Sequence, residues 1–352
     1  MKKVAIIIVN FNGFKYLPDL LGSIFSFRSF KVFSEVIFID NNSTDASISY
    51  VKKNYPQVKI LAQKANYGFA KGNNLGFRYA IENNFDYVFL LNQDTLVTAG
   101  YLDKLVDKIE SNNNISAVQP CIKLYPQTDL LNSLGCRIHY LGFGYTYGNN
   151  QPTNTLKELK ANFDNLNYCS GAAVLIKVRV LKQSGLFNSS FFMYHEDLDL
   201  GWRFQLLGFK NVLEPEAIIY HKYEFSKSIQ KYYFMERNRF IVILQNYKLG
   251  TLVLILPALL AMELGLLLFA IKNGFLLQKL KVYAYLLNPQ NLVRIRNCRR
   301  QIQRTRKILD KDIVKNFSGV IEHQAVSNSL INNLINPIFN FYWQIVKKII
   351  VW

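Results

Sequence analysis

No CxxC pair occurs in this chain. Its four cysteines, Cys121, Cys136, Cys169 and Cys298, stand far apart. That spacing argues against a structural zinc site and fits a reducing compartment without a disulfide framework. No G-x-G-x-x-G follows the first apolar run, which counts against a dinucleotide-binding crossover, and no G-x-x-x-x-G-K-[ST] occurs, which counts against a P-loop. Internal repeats and low-complexity linkers are lacking as well. Acidic residues are scarce in one region in particular. Residues 241–352 hold 4 Asp+Glu against 15 Lys+Arg, whereas residues 1–240 hold 20 against 27. Most of the net charge of +18 therefore sits in the last third.

Half of the 352 residues are hydrophobic, enough for a substantial core, with room for two domains or one with an appendage. The opening Met1-Lys2-Lys3 followed by six apolar residues, 4–9, superficially resembles an export signal. The run is short and leads into Asn10-Phe11-Asn12-Gly13, so a buried strand is the better reading. Further short apolar runs at 36–39, 58–61 and 87–91 read as strands. Helical spacing at 16–27, a polar stretch able to cap a helix running to about 53, and a helix over 73–83 alternate with them. Strands alternating with helices predict a parallel, doubly wound sheet. From about 115 to 170 the pattern loosens, and antiparallel strands with long loops are expected.

In such sheets, ligands sit beyond the carboxyl ends of the strands. Four successive strand ends carry polar residues: Asn10-Phe11-Asn12-Gly13, then Asp40-Asn41-Asn42-Ser43-Thr44-Asp45, then the Asn66 to Asn74 stretch with Gly68 and Gly72, then Asn92-Gln93-Asp94-Thr95. Singly, each is a turn. As a set they describe a ligand site. A carboxylate directly after a buried strand, as at Asp94, suits a divalent cation carrying phosphates. Backbone amides at a helix start, as near Gly68, can also take phosphate.

Farther along, Glu196, Asp197 and Asp199 crowd the start of a helix expected over 195–207. Glu196 and Asp199 share a face, and Asp197 points elsewhere. Crowded carboxylates raise one another's pKa, which suits a general base; an acid-rich helix start is the plainer alternative. Arg203 can pair with Asp199 or reach a phosphate. His221 follows an expected strand over 217–220 and is either structural or a metal ligand.

At about residue 240 the character changes. Residues 252–271 are almost wholly apolar, interrupted by Pro257 and Glu263. A membrane span, an in-plane or re-entrant hairpin kinked at Pro257, and a soluble core helix all fit that length. The hairpin is preferred, because it keeps the basic flank at 294–307 on the side of the first domain. The tail, 334–352, mixes aromatics with Lys347-Lys348 as an interfacial helix does. Basicity combined with apolar runs points to an anionic membrane surface and away from nucleic acid.

Several motifs together resemble family 2 glycosyltransferases, inverting enzymes of the GT-A fold, and the bacterial rhamnosyltransferase-like members among them. The resemblance covers about residues 3–245. It rests on Ile8-Val9-Asn10-Phe11-Asn12, the 36–45 segment with Asp40, Asn42 and Asp45, and Asn66-x-Gly68-Phe69-Ala70-x-Gly72-Asn73-Asn74-x-Gly76. It continues in Leu91-Asn92-Gln93-Asp94-Thr95, Ser170-Gly171-Ala172, Glu196-Asp197-x-Asp199-Leu200 and Arg237-Asn238.

The resemblance implies an α/β fold with a mostly parallel GT-A type sheet flanked by helices and a helical, membrane-associated C-terminal region. The expected division is a catalytic domain over 1–245, an apolar helical segment over 246–290 and a basic helical region over 291–352. By the same resemblance Asp40 would hold the nucleotide's base or ribose, Asp94 would hold Mg²⁺ or Mn²⁺ against the donor diphosphate, and His221 would be a further metal ligand. Asp197 would be the general base. Arg203 would lie near the diphosphate and Asn73 near the ribose. Asn10, Asn12, Asn42, Asn66 and Gly68 fall among the donor-binding strand ends. Asn92 stands where a stricter DxD motif has its first Asp; it removes one charge and keeps an amide oxygen.

The expected function is metal-dependent, inverting transfer from a nucleotide-sugar donor to a lipid-linked saccharide. The setting would be bacterial surface polysaccharide assembly at the cytoplasmic face of the inner membrane. A nucleotidyltransferase and a non-catalytic nucleotide-sugar-binding membrane protein are the alternatives; no Gly-rich, Lys/Arg-bearing pyrophosphorylase loop follows the first strand to support the former.

Overall fold

A computed structural model of the chain describes residues 1–158, 163–223, 229–321 and 331–352. Eleven strands and twelve α-helices are present among the described residues. The strands are β1 (Lys3–Asn10), β2 (Phe33–Asp40), β3 (Lys59–Ala62), β4 (Tyr87–Leu91), β5 (Thr95–Val97), β6 (Ile115–Leu124), β7 (Leu131–Ser133), β8 (Cys136–Ile138), β9 (Gly144–Thr146), β10 (Ala173–Lys177) and β11 (Lys210–His221). The helices are α1 (Leu17–Ser26), α2 (Ser47–Asn54), α3 (Gly68–Glu82), α4 (Tyr101–Glu110), α5 (Val178–Ser184), α6 (Glu196–Leu206), α7 (Ile229–Asn246), α8 (Leu249–Lys272), α9 (Leu276–Leu287), α10 (Pro289–Thr305), α11 (Asp310–Ile313) and α12 (Asn336–Ile349). They fall into two compact units. One comprises Met1–Cys136, Thr146–Phe192 and Phe209–Glu224; the other comprises Arg137–Tyr145, Met193–Gly208 and Phe225–Trp352.

The first unit is built on one sheet, ordered β3-β2-β1-β4-β10-β6-β11-β5, with β7 added to β6. The chain steps outward from β1 to β2 to β3 and then returns to place β4 on the other side of β1. These first four strands are parallel. The order reverses between β1 and β4, and that switch point is where open α/β sheets bind ligands. Beyond β4 the sheet becomes mixed: β10 runs antiparallel to both β4 and β6, and β6 and β11 are parallel.

Alternation along β1 sorts its side chains. Val4, Ile6 and Ile8 join the main core with Phe38, Phe89 and Leu105. Ile7 and Val9 face α3, and there the fit is close. A Cβ on Gly76 would lie 2.6 Å from the Ile7 side chain, and one on Gly72 would lie 2.8 Å from Val9. Both glycines let the helix approach the strand.

Two elements differ from the periodicity reading. Helix α3 begins at Gly68 rather than 73, because Asn66 Oδ1 accepts the Gly68 N–H at 2.9 Å and organises the first turn. Strand β11 spans twelve residues rather than four, since a bulge between Glu214 and Ile218 carries Pro215 and two acids through the middle. A bulge of that kind breaks the two-residue alternation by which strands are recognised.

The second unit is helical. Trp202 meets Tyr247 and Phe317 edge-on, and Tyr140 stacks on Trp343 at 4.5 Å. Four charged side chains form a buried network: Arg239 and Glu236 on α7, Glu263 on α8 and Lys279 on α9. A turn with Gly274 at φ 74° reverses the chain between α8 and α9, making a helical hairpin.

The packing of α3 on β1 sets a test with two signs. Gly76→Val should destabilise the protein by about 1–3 kcal/mol, the usual cost of overpacking. Gly22→Ala lies in α1 with nothing within 4 Å of the new Cβ. It should be neutral or stabilising by up to about 1 kcal/mol. Urea midpoints of the two variants check both.

Candidate functional site

The ends of β1 and β2 are tied into a polar knot. Asn10 Nδ2 donates to Asp40 Oδ1 at 2.9 Å and to Ser43 Oγ at 3.0 Å. Ser43 in turn donates its hydroxyl to Asp40 Oδ1 at 2.6 Å and its N–H to Oδ2 at 2.8 Å. Asn12 Oδ1 accepts the Thr44 N–H at 2.8 Å. Asn12 and Asn42 adopt left-handed conformations at φ 49° and 66°. Asn tolerates that region better than most residues. Asp40 is fully buried with both oxygens engaged, so it fixes the strand ends around the site.

Gln93 joins this knot to the end of β4. Its Oε1 accepts the Phe11 N–H at 3.0 Å. A Cβ at Gly13 would come within 2.5 Å of both Gln93 Oε1 and Asn10 Oδ1, so a larger residue there would displace Gln93 from the knot. Across the switch point, Asn66 and Gly68 open α3, and Asn41 Nδ2 donates to the Gly68 carbonyl at 3.1 Å. Asn73 is buried and donates to Phe69 O at 3.0 Å, within its own helix.

Asn92 is held only through its backbone: its N–H donates to Ala172 O at 2.9 Å and its carbonyl accepts the Thr95 hydroxyl at 2.7 Å. Among the described residues its side-chain amide has no hydrogen bond. Asp94 follows. Antiparallel pairing of β5 with β11 puts His221 opposite Thr95, and Lys222 N–H donates to Asp94 O at 2.8 Å. The result is a close pair, His221 Nε2 to Asp94 Oδ1 at 3.2 Å.

The orientation of the His221 ring follows from its neighbour. His221 Nδ1 lies 2.9 Å from Asn132 Oδ1 on β7. An amide oxygen only accepts, so Nδ1 carries a proton. In the neutral imidazole Nε2 is then a lone pair, facing a carboxylate oxygen. Asp94 Oδ1 is buried and, among the described residues, has no hydrogen-bond donor. Two electron-rich atoms facing each other suit a cation between them.

The spacing suits a metal. Two ligands about 2.1–2.2 Å from one cation, at right angles, stand about 3.0–3.1 Å apart. Asn132 holds the His221 ring in one orientation, as an outer partner would for a ligating His. Among the described residues no third His, Cys, Asp or Glu completes the set. The remaining positions of Mg²⁺ or Mn²⁺ would fall to water, phosphate oxygens or an amide oxygen such as that of Asn92. Asn132 was invisible in the sequence, because it lies on a three-residue strand in a stretch without readable pattern.

In the second unit, α6 starts immediately after two consecutive non-glycine residues in left-handed conformation, Tyr194 at φ 69° and His195 at φ 67°. Such residues cost about 1–3 kcal/mol each and need support from their surroundings. Asn238 supplies it: its amide donates to Met193 O at 2.9 Å and Tyr194 O at 2.8 Å. Arg237 donates to Asn238 Oδ1 at 2.8 Å, which turns the amide nitrogen towards those carbonyls.

Of the three carboxylates that follow, Glu196 and Asp199 are buried and Asp197 is partly exposed. Burial holds the Glu196 carboxyl well above the usual range, and the charges of Asp197 and Asp199 add to the effect. Asp199 is paired with Arg203 at 2.9 Å and accepts from Asn246 at 3.0 Å. Of the two roles open to Arg203, the pairing with Asp199 is the one present here.

The sequence model of the family described as glycosyl transferase family 2 matches residues 5–185. The chain belongs to that family. A curated relative, the N-acetylglucosaminyl-diphospho-decaprenol L-rhamnosyltransferase of Mycobacterium tuberculosis, is 27% identical over 203 residues, covering 53% of this chain and 66% of that protein. The chain thus aligns with just under two thirds of that relative's length. Among solved structures, TarS residues 1–349 of S. aureus superposes with a TM-score of 0.52 at 15% identity, over 99% of this chain and 90% of that one. A mannosyltransferase from Pyrobaculum calidifontis, in complex with GDP-Man and Mn²⁺, does so at 0.50 and 14%, over 98% and 86%. These two likenesses are of fold, and the fold is the GT-A type, a central sheet flanked by helices. In this family 2 chain the matched span contains the strand-end residues from Asn10 to Asp94. Asp197, Arg203 and His221 lie beyond it.

Two histidines of the second unit set a pH dependence. Burial lowers His139 to about 3 and His195 to about 4, and the charge of Arg239 acts in the same direction. At these two histidines the unfolded chain therefore binds more protons than the folded one between about pH 4 and 6.5. In a Glu196→Gln background, which removes the raised carboxyl that acts in the opposite sense, stability should fall as pH drops through that window and be flat above it on account of these groups, as urea midpoints across pH would show.

Proposed function

We propose that the protein is a metal-dependent, inverting glycosyltransferase that moves a sugar from a nucleotide-sugar donor to a saccharide on a lipid carrier. The setting is surface polysaccharide assembly at the cytoplasmic face of a bacterial inner membrane. The observation that carries this reading is the Asp94–His221 pair beyond the carboxyl end of β4, at the sheet's switch point. The decaprenol-linked substrate named for the mycobacterial relative supports a lipid-linked acceptor.

Asp94 and His221 would hold the cation, and Asn92 offers a further oxygen. When bound, Mg²⁺ or Mn²⁺ neutralises charge developing on the leaving diphosphate. The amides at the start of α3 suit phosphate, and the Asn10–Asp40–Ser43 knot keeps the two strand ends beside it in place. Asp197 is assigned as general base, being the partly exposed member of its acidic trio. Its carboxylate takes the proton of the acceptor hydroxyl as that oxygen bonds to the anomeric carbon. The bond from that carbon to the diphosphate oxygen breaks, and the diphosphate leaves with the electron pair. Attack from the face opposite the leaving group inverts the anomeric centre. Asn238 is a positioning residue for Asp197 through the Met193–Tyr194 carbonyls.

The catalytic domain is assigned to residues 1–245, the apolar membrane-associated segment to 246–290 and the basic helical region to 291–352.

Asp197→Asn should reduce transfer by at least about 10²-fold, the lower range for a general base, with donor affinity nearly unchanged. Asp94→Ala should instead remove the metal-dependent part of donor affinity. Initial rates and calorimetric titration of the donor with Mn²⁺ separate the two. Full transfer in the first variant, or unchanged metal-dependent affinity in the second, contradicts the assignment.

A further inference from the structure

Helix α8 is long and apolar enough to cross a membrane, yet its midpoint is tied sideways. Glu263 pairs with Arg239 of α7 and with Lys279 of α9, the latter at 2.7 Å, and accepts from Tyr283 at 3.0 Å. Arg239 and Lys279 are themselves fully buried, and both also pair with Glu236. The start of α8 is tied as well: Asp310 accepts from Lys248 N at 2.8 Å and Thr251 Oγ1 at 2.5 Å, and Trp352 donates to Thr251 at 2.9 Å. Threading α8 through a bilayer would break these pairs and strand buried charges, each break costing several kcal/mol.

The side of α8 away from these ties is a different surface. Val253, Leu256, Leu260, Leu264, Leu268 and Ile271 form one uncharged, exposed stripe along the helix. Helix α9 adds Leu277 and Leu280. Helix α12 has its own stripe, Ile338, Phe341, Ile345 and Ile349, and Tyr342 fastens it to Leu254 O at 2.6 Å. An apolar face backed by a polar, protein-packed face is the pattern of a helix lying in an interface.

Charge selects the partner. On α10, Arg294, Arg296, Arg300 and Arg304 are exposed and the helix has no acid. Among the described residues after 241, the acids are Glu263, Asp310 and Asp312, and each is paired with a cation. The outward field is positive, complementary to anionic headgroups.

We propose that the second unit docks on one leaflet of an anionic bilayer through the α8, α9 and α12 stripes, with α8 in the plane of the membrane and not across it, and the α10 arginines on lipid phosphates. This deepens the membrane part of the function proposed above and does not depend on the transfer reaction.

Inside-out inner-membrane vesicles from bacterial cells expressing full-length Asn273→Cys, in a Cys298→Ser background, provide the test. A membrane-impermeant maleimide should label the α8–α9 turn equally with and without detergent. Protection until detergent is added would mean that α8 crosses, and would overturn the proposal. With purified protein, phosphatidylcholine vesicles containing phosphatidylglycerol should bind, and Leu260→Asp with Leu264→Asp should abolish binding with the circular dichroism unchanged. Arg296→Gln, Arg300→Gln and Arg304→Gln together should weaken it at least about tenfold. Undiminished binding in either set would overturn the corresponding contact. Neither assay uses donor or acceptor, so a failure here is distinct from a failure of the transferase reading.

Discussion

The site depends on the position of β1. It lies between β2 and β4, parallel to both, and pairs with β2 all the way to Asn10 opposite Asp40. That register brings two polar strand ends to one edge at the same height. A slip of one residue would turn Ile6 and Ile8 out of the core and Asn10 away from Asp40. The glycines at 72 and 76 serve the same constraint from behind, letting α3 close on β1. With β1 fixed, Gln93 can reach the Phe11 amide, and Asp94 follows directly into the position beside His221.

The second unit has its own tie point on α7. Four consecutive residues there do separate work. Glu236 and Arg239 enter the buried network with Glu263 and Lys279, while Arg237 and Asn238 hold the left-handed turn ahead of Asp197. A buried ionic network of this kind adds little net stability compared with an apolar core. Its contribution is to specify one arrangement of three helices, one of which, α8, is otherwise an almost featureless apolar run rich in Leu.

The sequence showed the strand ends well, because Asn10, Asp40, Gly68 and Asp94 each follow a short apolar run, and runs of that kind survive any change of partner. It also showed that Glu196 and Asp199 share a face, since helical spacing alone decides that. It missed the extent of β11, whose bulge interrupts alternation, and the early start of α3, where a side-chain hydrogen bond does what periodicity does not record. The engagement of Asp40 with Ser43 and the part played by Asn132 were out of reach too. Both depend on which groups meet across the fold, and no local pattern encodes that. For α8, length and hydropathy left three placements open; the ties of Glu263 are tertiary facts.

The central claim is that Asp94 and His221 form half of a cation site for a nucleotide-sugar donor. Thermal unfolding of the full-length protein with a panel of nucleotide sugars, with Mn²⁺ and with EDTA, tests it most directly. A donor that binds only with the cation stabilises the folded state by mass action, about 2.7 kcal/mol at a concentration one hundred times its Kd. The account predicts that at least one nucleotide sugar raises Tm with Mn²⁺ and that EDTA abolishes the shift. A nucleotide sugar that raises Tm equally in EDTA, or a panel that leaves Tm unmoved with Mn²⁺, would contradict it.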